Sequence, residues 1–231
     1  MKKLLAIVLL LCLVCTSAFA AGKLERTETR VVRDAKDNGK YDINVFIQVK
    51  NTGDAAVSLD KANIYLYDAN STVLSDDTTY SMYPPVLQPG EVGYIYDWMY
   101  NVEGSVANAI SSYSINITNE TDERYIDKIQ HISHTATYEQ RPYYSSMEPV
   151  VTFTVTNDTA ETVWEMRLIA VVRSAEGKIL DVQTSTVYNT GLPTGSTLLY
   201  EMDLGSSNLT EWTTAGHTVG SVETFVYVEL D

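Results

Sequence analysis

Between Tyr41 and Val49 the apolar residues fall at every second position: Tyr41, Ile43, Val45, Ile47 and Val49 alternate with Asp42, Asn44 and Gln48, and Lys50 follows. A period of two marks a strand with one buried face. Only Phe46 breaks it. Val151, Phe153 and Val155 repeat the same phase, with Thr152, Thr154 and Thr156 on the opposite face. A slip of one residue would invert the faces, so the shared phase pairs these two segments. The match extends beyond them. Val49-Lys50-Asn51-Thr52 recurs as Val155-Thr156-Asn157-Asp158, and Asp68 to Leu74 recurs as Ser174 to Leu180, each 106 positions on. An offset that long is a whole domain rather than a solenoid repeat.

The same punctuation follows in both copies. Asn51-Thr52-Gly53-Asp54 and Asn157-Asp158-Thr159 are turn sequences, because Asn, Asp and Gly accept turn backbone angles. A second β segment comes next, Lys61 to Asp68 and then Glu165 to Arg173. Pro89-Gly90 and Pro193-Thr194-Gly195 punctuate matching places, the second copy having one extra residue. Strands follow at Glu91 to Tyr100 and Thr197 to Leu204, and apolar strands close each copy at Tyr113 to Thr118 and Thr224 to Leu230. The opening strands match too, Lys23 to Val32 with Lys128 to Thr137. About seven short β segments per copy, with frequent turns and no convincing helix, predict an all-β protein. The expected architecture is two tandem immunoglobulin-like β-sandwich domains, 23–119 and 120–231, after an N-terminal signal peptide at 1–20. The joint Asn119-Glu120-Thr121-Asp122-Glu123 is short and acidic, unlike a flexible linker, so little freedom between the domains is expected.

The signal peptide reading rests on Lys2 and Lys3 before an apolar core from Leu4 to Val14, then the small-x-small motif Ala18-Phe19-Ala20. That pattern places cleavage between Ala20 and Ala21. An uncleaved anchor is the competing reading, but the apolar run falls short of the roughly 20 residues that span a bilayer, so no transmembrane segment is expected after cleavage. Leu11 and Val14 stand before Cys12 and Cys15, where a lipoprotein signal needs a small residue. Cleavage removes both cysteines, and with them any disulfide, thiol nucleophile or thiolate metal site. It also removes two lysines and no carboxylates, taking the net charge from −14 to −16. Such a surface is repelled by phosphate backbones, which excludes nucleic acid as a partner, and anionic membranes are disfavoured for the same reason. The expected location is secreted or at the cell surface of a bacterium.

Ile64-Tyr65-Leu66-Tyr67-Asp68, preceded by the Val-x-Asn strand end and followed by Val73-Leu74 and Pro89-Gly90-Glu91, resembles the FxLYD family of small secreted bacterial β-sandwich domains. Ile64 stands where that family has Phe. The second copy diverges, since Ala170-Val171-Val172-Arg173-Ser174 keeps the apolar strand but loses Tyr and Asp. The resemblance covers about 60 residues of the first copy. It implies an extracytoplasmic sandwich and transfers no catalytic residue.

Candidate chemistry is sparse. His131 and His134 are three apart on a segment read as one strand, where such positions face opposite ways, and His217 falls in a polar loop. No Gly-x-Ser-x-Gly elbow or phosphate-cradling Gly-rich loop occurs. Neither a cofactor nor enzymatic activity is expected. Asp34, Asp37 and Asn38 offer oxygen ligands for calcium, but Lys36 stands at the third position of an EF-hand loop, and Asp37-Asn38-Gly39 also reads as a hairpin turn. Leu192-Pro193-Thr194-Gly195 is a turn rather than a sortase signal.

The aromatic residues carry the remaining signal, with 16 tyrosines and three tryptophans against four phenylalanines. Rigid rings with wet hydroxyls suit glycan or protein contacts. Tyr80, Tyr83 and Tyr100, and the loop pair Tyr143-Tyr144, are the candidate binding residues. Tyr94, Tyr96 and Trp98 alternate along one strand, and Leu198, Tyr200 and Met202 alternate in the matching strand with Glu201 and Asp203 facing out. If the two copies share that phase, Tyr94, Tyr96 and Trp98 are core; if the face is exposed, they form with Tyr100 an aromatic platform for a sugar or peptide. The function expected is an exported, non-enzymatic binding module for a glycan or protein. A structural spacer or surface assembly subunit, and a small hydrolase using paired carboxylates, are the alternatives.

Overall fold

Alternating residues become antiparallel strands wherever one face has a core to cover. The computed structural model describes residues 21–36, 38–121 and 126–230. The first half holds β1 (Leu24–Ala35), β2 (Lys40–Asn51), β3 (Val57–Tyr67), β4 (Val73–Thr79), β5 (Val86–Leu87) and β6 (Val92–Glu103), a short helix α1 (Gly104–Ala109), and β7 (Ser112–Glu120). The second holds β8 (Ile129–His131), β9 (Ser133–Tyr143), β10 (Ser146–Thr156), β11 (Val163–Ser174), β12 (Ile179–Leu192), β13 (Thr197–Asp203), helix α2 (Ser206–Thr214) and β14 (Val219–Glu229). The fold is all-β, and two helices among the described residues, α1 and α2, correct the expectation of none.

Each half has two sheets. In the first, the order β1-β2-β6 faces a sheet centred on β3, flanked by β4 and β5 on one side and β7 on the other. The second half repeats this, with β9-β10-β13 and β12-β11-β14-β8. The duplicated sequence is therefore a duplicated strand order. The segment containing His131 and His134 is two strands, not one. β8 pairs with β14 in one sheet and β9 pairs with β10 in the other, and the chain crosses at Ile132.

The repeated Asn explains the most regular part of the duplication. Asn51 is buried at the end of β2, and its side-chain amide donates to the carbonyls of Ala55 and Leu87 at 2.8 and 2.9 Å. Its oxygen accepts the Gly53 N–H at 2.9 Å. Asn157 does the same after β10, donating to Glu161 and Leu192 at 2.7 and 2.8 Å and accepting the Thr159 N–H at 3.0 Å. In both halves one amide ties a turn to the strand across the sandwich. The Ile64–Asp68 stretch is structural as well. Ile64 and Leu66 enter the core, Tyr65 and Tyr67 stack side by side at 6.5 Å, and Asp68 Oδ1 accepts the N–H groups of Asn70 and Thr72, each at 2.8 Å.

Three buried clusters hold the chain together. One lies in the first half around Ile43, Val45, Ile47, Ile64 and Leu66, and another in the second around Phe153, Met166, Leu168 and Val172. The third is shared. Phe46, Val86 and Tyr94 of the first half meet Ile169, Val171, Ile179, Val182 and Tyr227 of the second. Phe46 breaks the alternation of β2 because it faces this layer. Leu168 to Val172 reads as an unbroken apolar run because β11 is buried on both faces, one toward each cluster.

The shared layer corrects the placement of Tyr94, Tyr96 and Trp98. Ile47 pairs with Ile95 across β2 and β6, whereas Phe153 pairs with Tyr200 across β10 and β13. Ile95 is thus the counterpart of Tyr200, and Tyr94 is the counterpart of Leu199. The extra residue in the Pro193-Thr194-Gly195 turn shifts the sequence match by one and inverts the faces. Tyr94 is fully buried, but between the halves rather than within one. Leu199, on the equivalent face of the second half, is exposed to solvent.

Candidate functional site

The layer between the halves is polar at one edge and apolar at its centre. Arg173, on the face of β11 turned to the first half, donates from Nη1 to Glu28 Oε2 at 2.9 Å and from Nη2 to the Tyr94 hydroxyl at 3.0 Å. Its Nε donates to Glu223 on β14. Tyr94 donates to Glu223 Oε2 at 2.5 Å and accepts from Gln48 Nε2 at 3.1 Å. Burial, with Glu223 beside it, pushes the Tyr94 hydroxyl up to about 12. The desolvated guanidinium has two carboxylates and a phenol around it, so its charge is compensated where it is buried.

Two clefts flank this layer, each lined by both halves. The first, of about 430 Å3, lies under the loop after β4 and contains Tyr80, Met82 and Tyr83 from the first half with Met166, Arg167 and Tyr227 from the second. Tyr83 is held by paired backbone hydrogen bonds with Tyr94, both 2.8 Å, just before the cis bond to Pro84. Arg167 there pairs with Glu165 at 3.6 Å.

The second cleft, of about 290 Å3, is lined by the outer face of β6 and by β1 and β2 on one side, and by β12 and α2 on the other. Its aromatic wall is a ladder. Phe46 stacks on Tyr96 at 6.3 Å, Tyr96 on Trp98 at 4.7 Å, and Trp98 meets Tyr100 edge-on at 5.8 Å. Alternation along β6 puts these rings in a row, and the row emerges from the shared layer. Tyr94 is 0% exposed, Trp98 38% and Tyr100 63%. Lys36 lies over the Tyr100 ring at 5.9 Å and pairs with Asp42 Oδ2 at 2.7 Å.

Helix α2 builds the facing wall. Leu209 and Trp212 enter the core of the second half, which turns Asn208, Glu211 and Ala215 toward the cleft at helical spacing. Asn208 Nδ2 donates to Asp181 Oδ2 at 3.2 Å, Gln183 Nε2 to the same oxygen at 2.8 Å, and the Val182 N–H to Oδ1 at 2.7 Å. Burial pushes the Asp181 carboxyl up to about 6, with Asp34 adding to the rise and the Gln183 and Val182 donors opposing it. Asp34 is also raised by burial, against a 2.5 Å hydrogen bond from Asn44. Glu211 is raised by burial and then by Asp34, Asp181 and Asp42. Burial works against ionisation of Asp42 too, but Lys36 and the Asn101 N–H hold it below the usual carboxylate range. Such a crowd of carboxylates beside aromatic rings in a cleft marks a candidate site on physical grounds.

The five candidate tyrosines therefore fall in three places. Tyr80 and Tyr83 line the first cleft and Tyr100 the second. Tyr143 and Tyr144 sit at the tip of the β9–β10 hairpin, where Tyr144 takes a left-handed φ of 49° and is 95% exposed. Of the calcium candidates, Asp34 turns into the second cleft, while Asn38 closes the β1–β2 turn by accepting the Lys40 N–H at 3.0 Å, and Asp37 lies outside the described residues. Among the described residues no group of three or more His, Cys, Asp or Glu could hold a metal ion. His134 is bonded to the Ile132 carbonyl and to Thr224, and His131 faces Glu91 at 3.7 Å. The expected cleavage falls between Ala20, outside the described residues, and Ala21, the first of them. Among the described residues no helix is long and apolar enough to cross a membrane.

Trp98, Asp181, Glu211 and Asn208 were not legible as a site. They are spread over more than 100 positions of sequence and meet only because the halves pack against each other. The available signal was Phe46, an apolar residue on a face otherwise read as solvated. No family model matches the chain, and no curated protein matches it either.

Proposed function

We propose that this protein is an exported, non-enzymatic recognition module of the bacterial cell surface. Its halves are two tandem immunoglobulin-like domains, and its ligand sits in the cleft beside Trp98 and Tyr100. One observation carries this reading. The Tyr96–Trp98–Tyr100 ladder grades from buried to exposed and faces a polar wall supplied by the other half. Rings anchored at one end by packing are rigid, so they present contact area at small cost in conformational entropy. The leader at 1–20 supports export, since its three parts are those of a secretion signal.

The test is retention on isolated envelope fractions and on a glycan panel. Trp98→Ala with Tyr100→Ala removes saturable retention and leaves the melting temperature within about 2–4 °C of the parent, the shift that 1 kcal/mol produces in a chain of this size. Undiminished retention sinks the assignment to this cleft. The elevated Asp181 favours a second reading, a small hydrolase with that carboxyl as general acid. Asp181 already accepts from three donors, which favours positioning over proton transfer. Turnover of a glycan substrate, abolished by Asp181→Asn, would reverse that preference.

A further inference from the structure

The charges around the second cleft do not balance. Six charged side chains line it, the carboxylates Asp34, Asp42, Asp181 and Glu211 and the cations Arg30 and Lys36, with His217 at the edge. Lys36 is committed to Asp42, and Arg30 donates to the Ile179 carbonyl and attracts Asp34. Among the described residues no ion pair is formed by Asp181 or Glu211. The wall opposite the aromatic ladder therefore carries Asp181, held by amide and backbone donors, and Glu211, neither with a salt-bridge partner among the described residues.

We propose that the cleft binds a small organic cation, an ammonium on a short alkyl chain, between Trp98 and Tyr100 on one side and Asp181 and Glu211 on the other. This rests on the reading of the cleft as the ligand site. The rim already shows the chemistry in miniature. The Lys36 ammonium lies 5.9 Å from the centre of the Tyr100 ring and 2.7 Å from Asp42 Oδ2, an ammonium held by a ring and a carboxylate together. Deeper in, the rings and carboxylates recur without the ammonium. Aromatic rings attract cations most strongly where water is partly excluded. A cation also relieves the repulsion among the carboxylates around Asp181 and Glu211, both raised first by burial and then by neighbouring acids. An anionic ligand adds to that repulsion, and a neutral one leaves it unrelieved. A volume of about 290 Å3 admits a small molecule or a single side chain rather than a polymer segment.

Tryptophan fluorescence gives the test. Trp164 lies in a separate cleft with Glu161 and Glu229, so in the Trp164→Phe protein emission comes from Trp98 and Trp212, both at this site. Choline and 1,4-diaminobutane are titrated against their neutral counterparts, 3,3-dimethylbutanol and 1,4-butanediol, and Nα-acetyl-lysine amide tests whether a protein side chain serves equally. The cations produce a saturable change about tenfold tighter than the neutral compounds, and the gap narrows at high salt. Glu211→Gln weakens cation binding several-fold, and Lys36→Gln, which removes the competing ammonium, strengthens it. Equal binding of neutral compounds overturns the cation preference and leaves the cleft as a ligand site. No response to any of these probes overturns it as well. The cleft itself is then judged separately, by whether Trp98→Ala with Tyr100→Ala still abolishes envelope retention.

Discussion

Arg173 Nη2 donates to the hydroxyl of Tyr94 at 3.0 Å, joining the central strand of the second half to a ring of the first that has no exposed surface. Glu28 and Glu223 complete the compensation of that guanidinium. Arg173→Ala strands two carboxylates in a layer built to hold a cation. Both carboxylates keep contact with solvent, so the expected cost is about 1.5–3 kcal/mol, and denaturant unfolding should separate into two transitions as the halves lose their tie. A double-mutant cycle with Tyr94→Phe should give a coupling of about 0.5–3 kcal/mol. A single unshifted transition would remove Arg173 from any part in joining the halves.

Asn51 and Asn157 make the same pair of amide donations to carbonyls across a turn. Replacing either with Ala leaves two carbonyls without donors in a dry place and should cost about 2–4 kcal/mol. Asp in place of Asn keeps the shape but only accepts, so it should be no better than Ala. Chemical denaturation of the four variants measures this, and an Asp variant as stable as the parent would show that the donated hydrogen bonds are not what matters.

Asp97 faces the interior of the first half, on the side of β6 that carries Ile95 and Met99, and its Oδ2 is buried without a partner. Burial, followed by the nearby Asp77 charge, pushes its carboxyl up to about 6. Between the ordinary aspartate value, about 4, and that value the folded protein keeps a proton that the unfolded chain has released. Asp97 therefore makes stability fall as pH rises through this window. Asp97→Asn carries no charge and removes the effect. Its melting temperature should exceed the parent's by about 2–4 °C at pH 7.5, and the two should converge below pH 4.5. A difference that does not change with pH, or a parent more stable at pH 7.5, contradicts this.

The duplication, the strands and the turns are legible in the sequence because each depends on residues close together along the chain. Val49–Thr52 and its repeat contain the latching Asn, and the alternation of β2 and β10 shows which face is inside. The packing between the halves is written less openly. Phe46 on a face otherwise polar, the unbroken run Leu168–Val172, and Arg173 where the first copy has Tyr67 all reflect it, yet each reads locally as noise or divergence. The ladder on β6 is hidden for a narrower reason: one added residue in the Pro193-Thr194-Gly195 turn reverses the phase between copies. Helix α2 leaves no helical period in the sequence because Leu209 and Trp212 are its only two buried positions, too few to stand out against the surrounding polar residues. Asn208 and Glu211, on its cleft-facing side, are hidden with it.

The most direct test of recognition at the junction is amide hydrogen exchange of the full protein with and without the envelope fraction that retains it. Binding in the second cleft predicts slowed exchange in both walls together, at residues 96–101 of β6 and 206–215 around α2, while the hairpin tip at Tyr143 and Tyr144 is unchanged. Protection confined to that hairpin, or to the loop carrying Tyr80, would place recognition elsewhere and contradict the account.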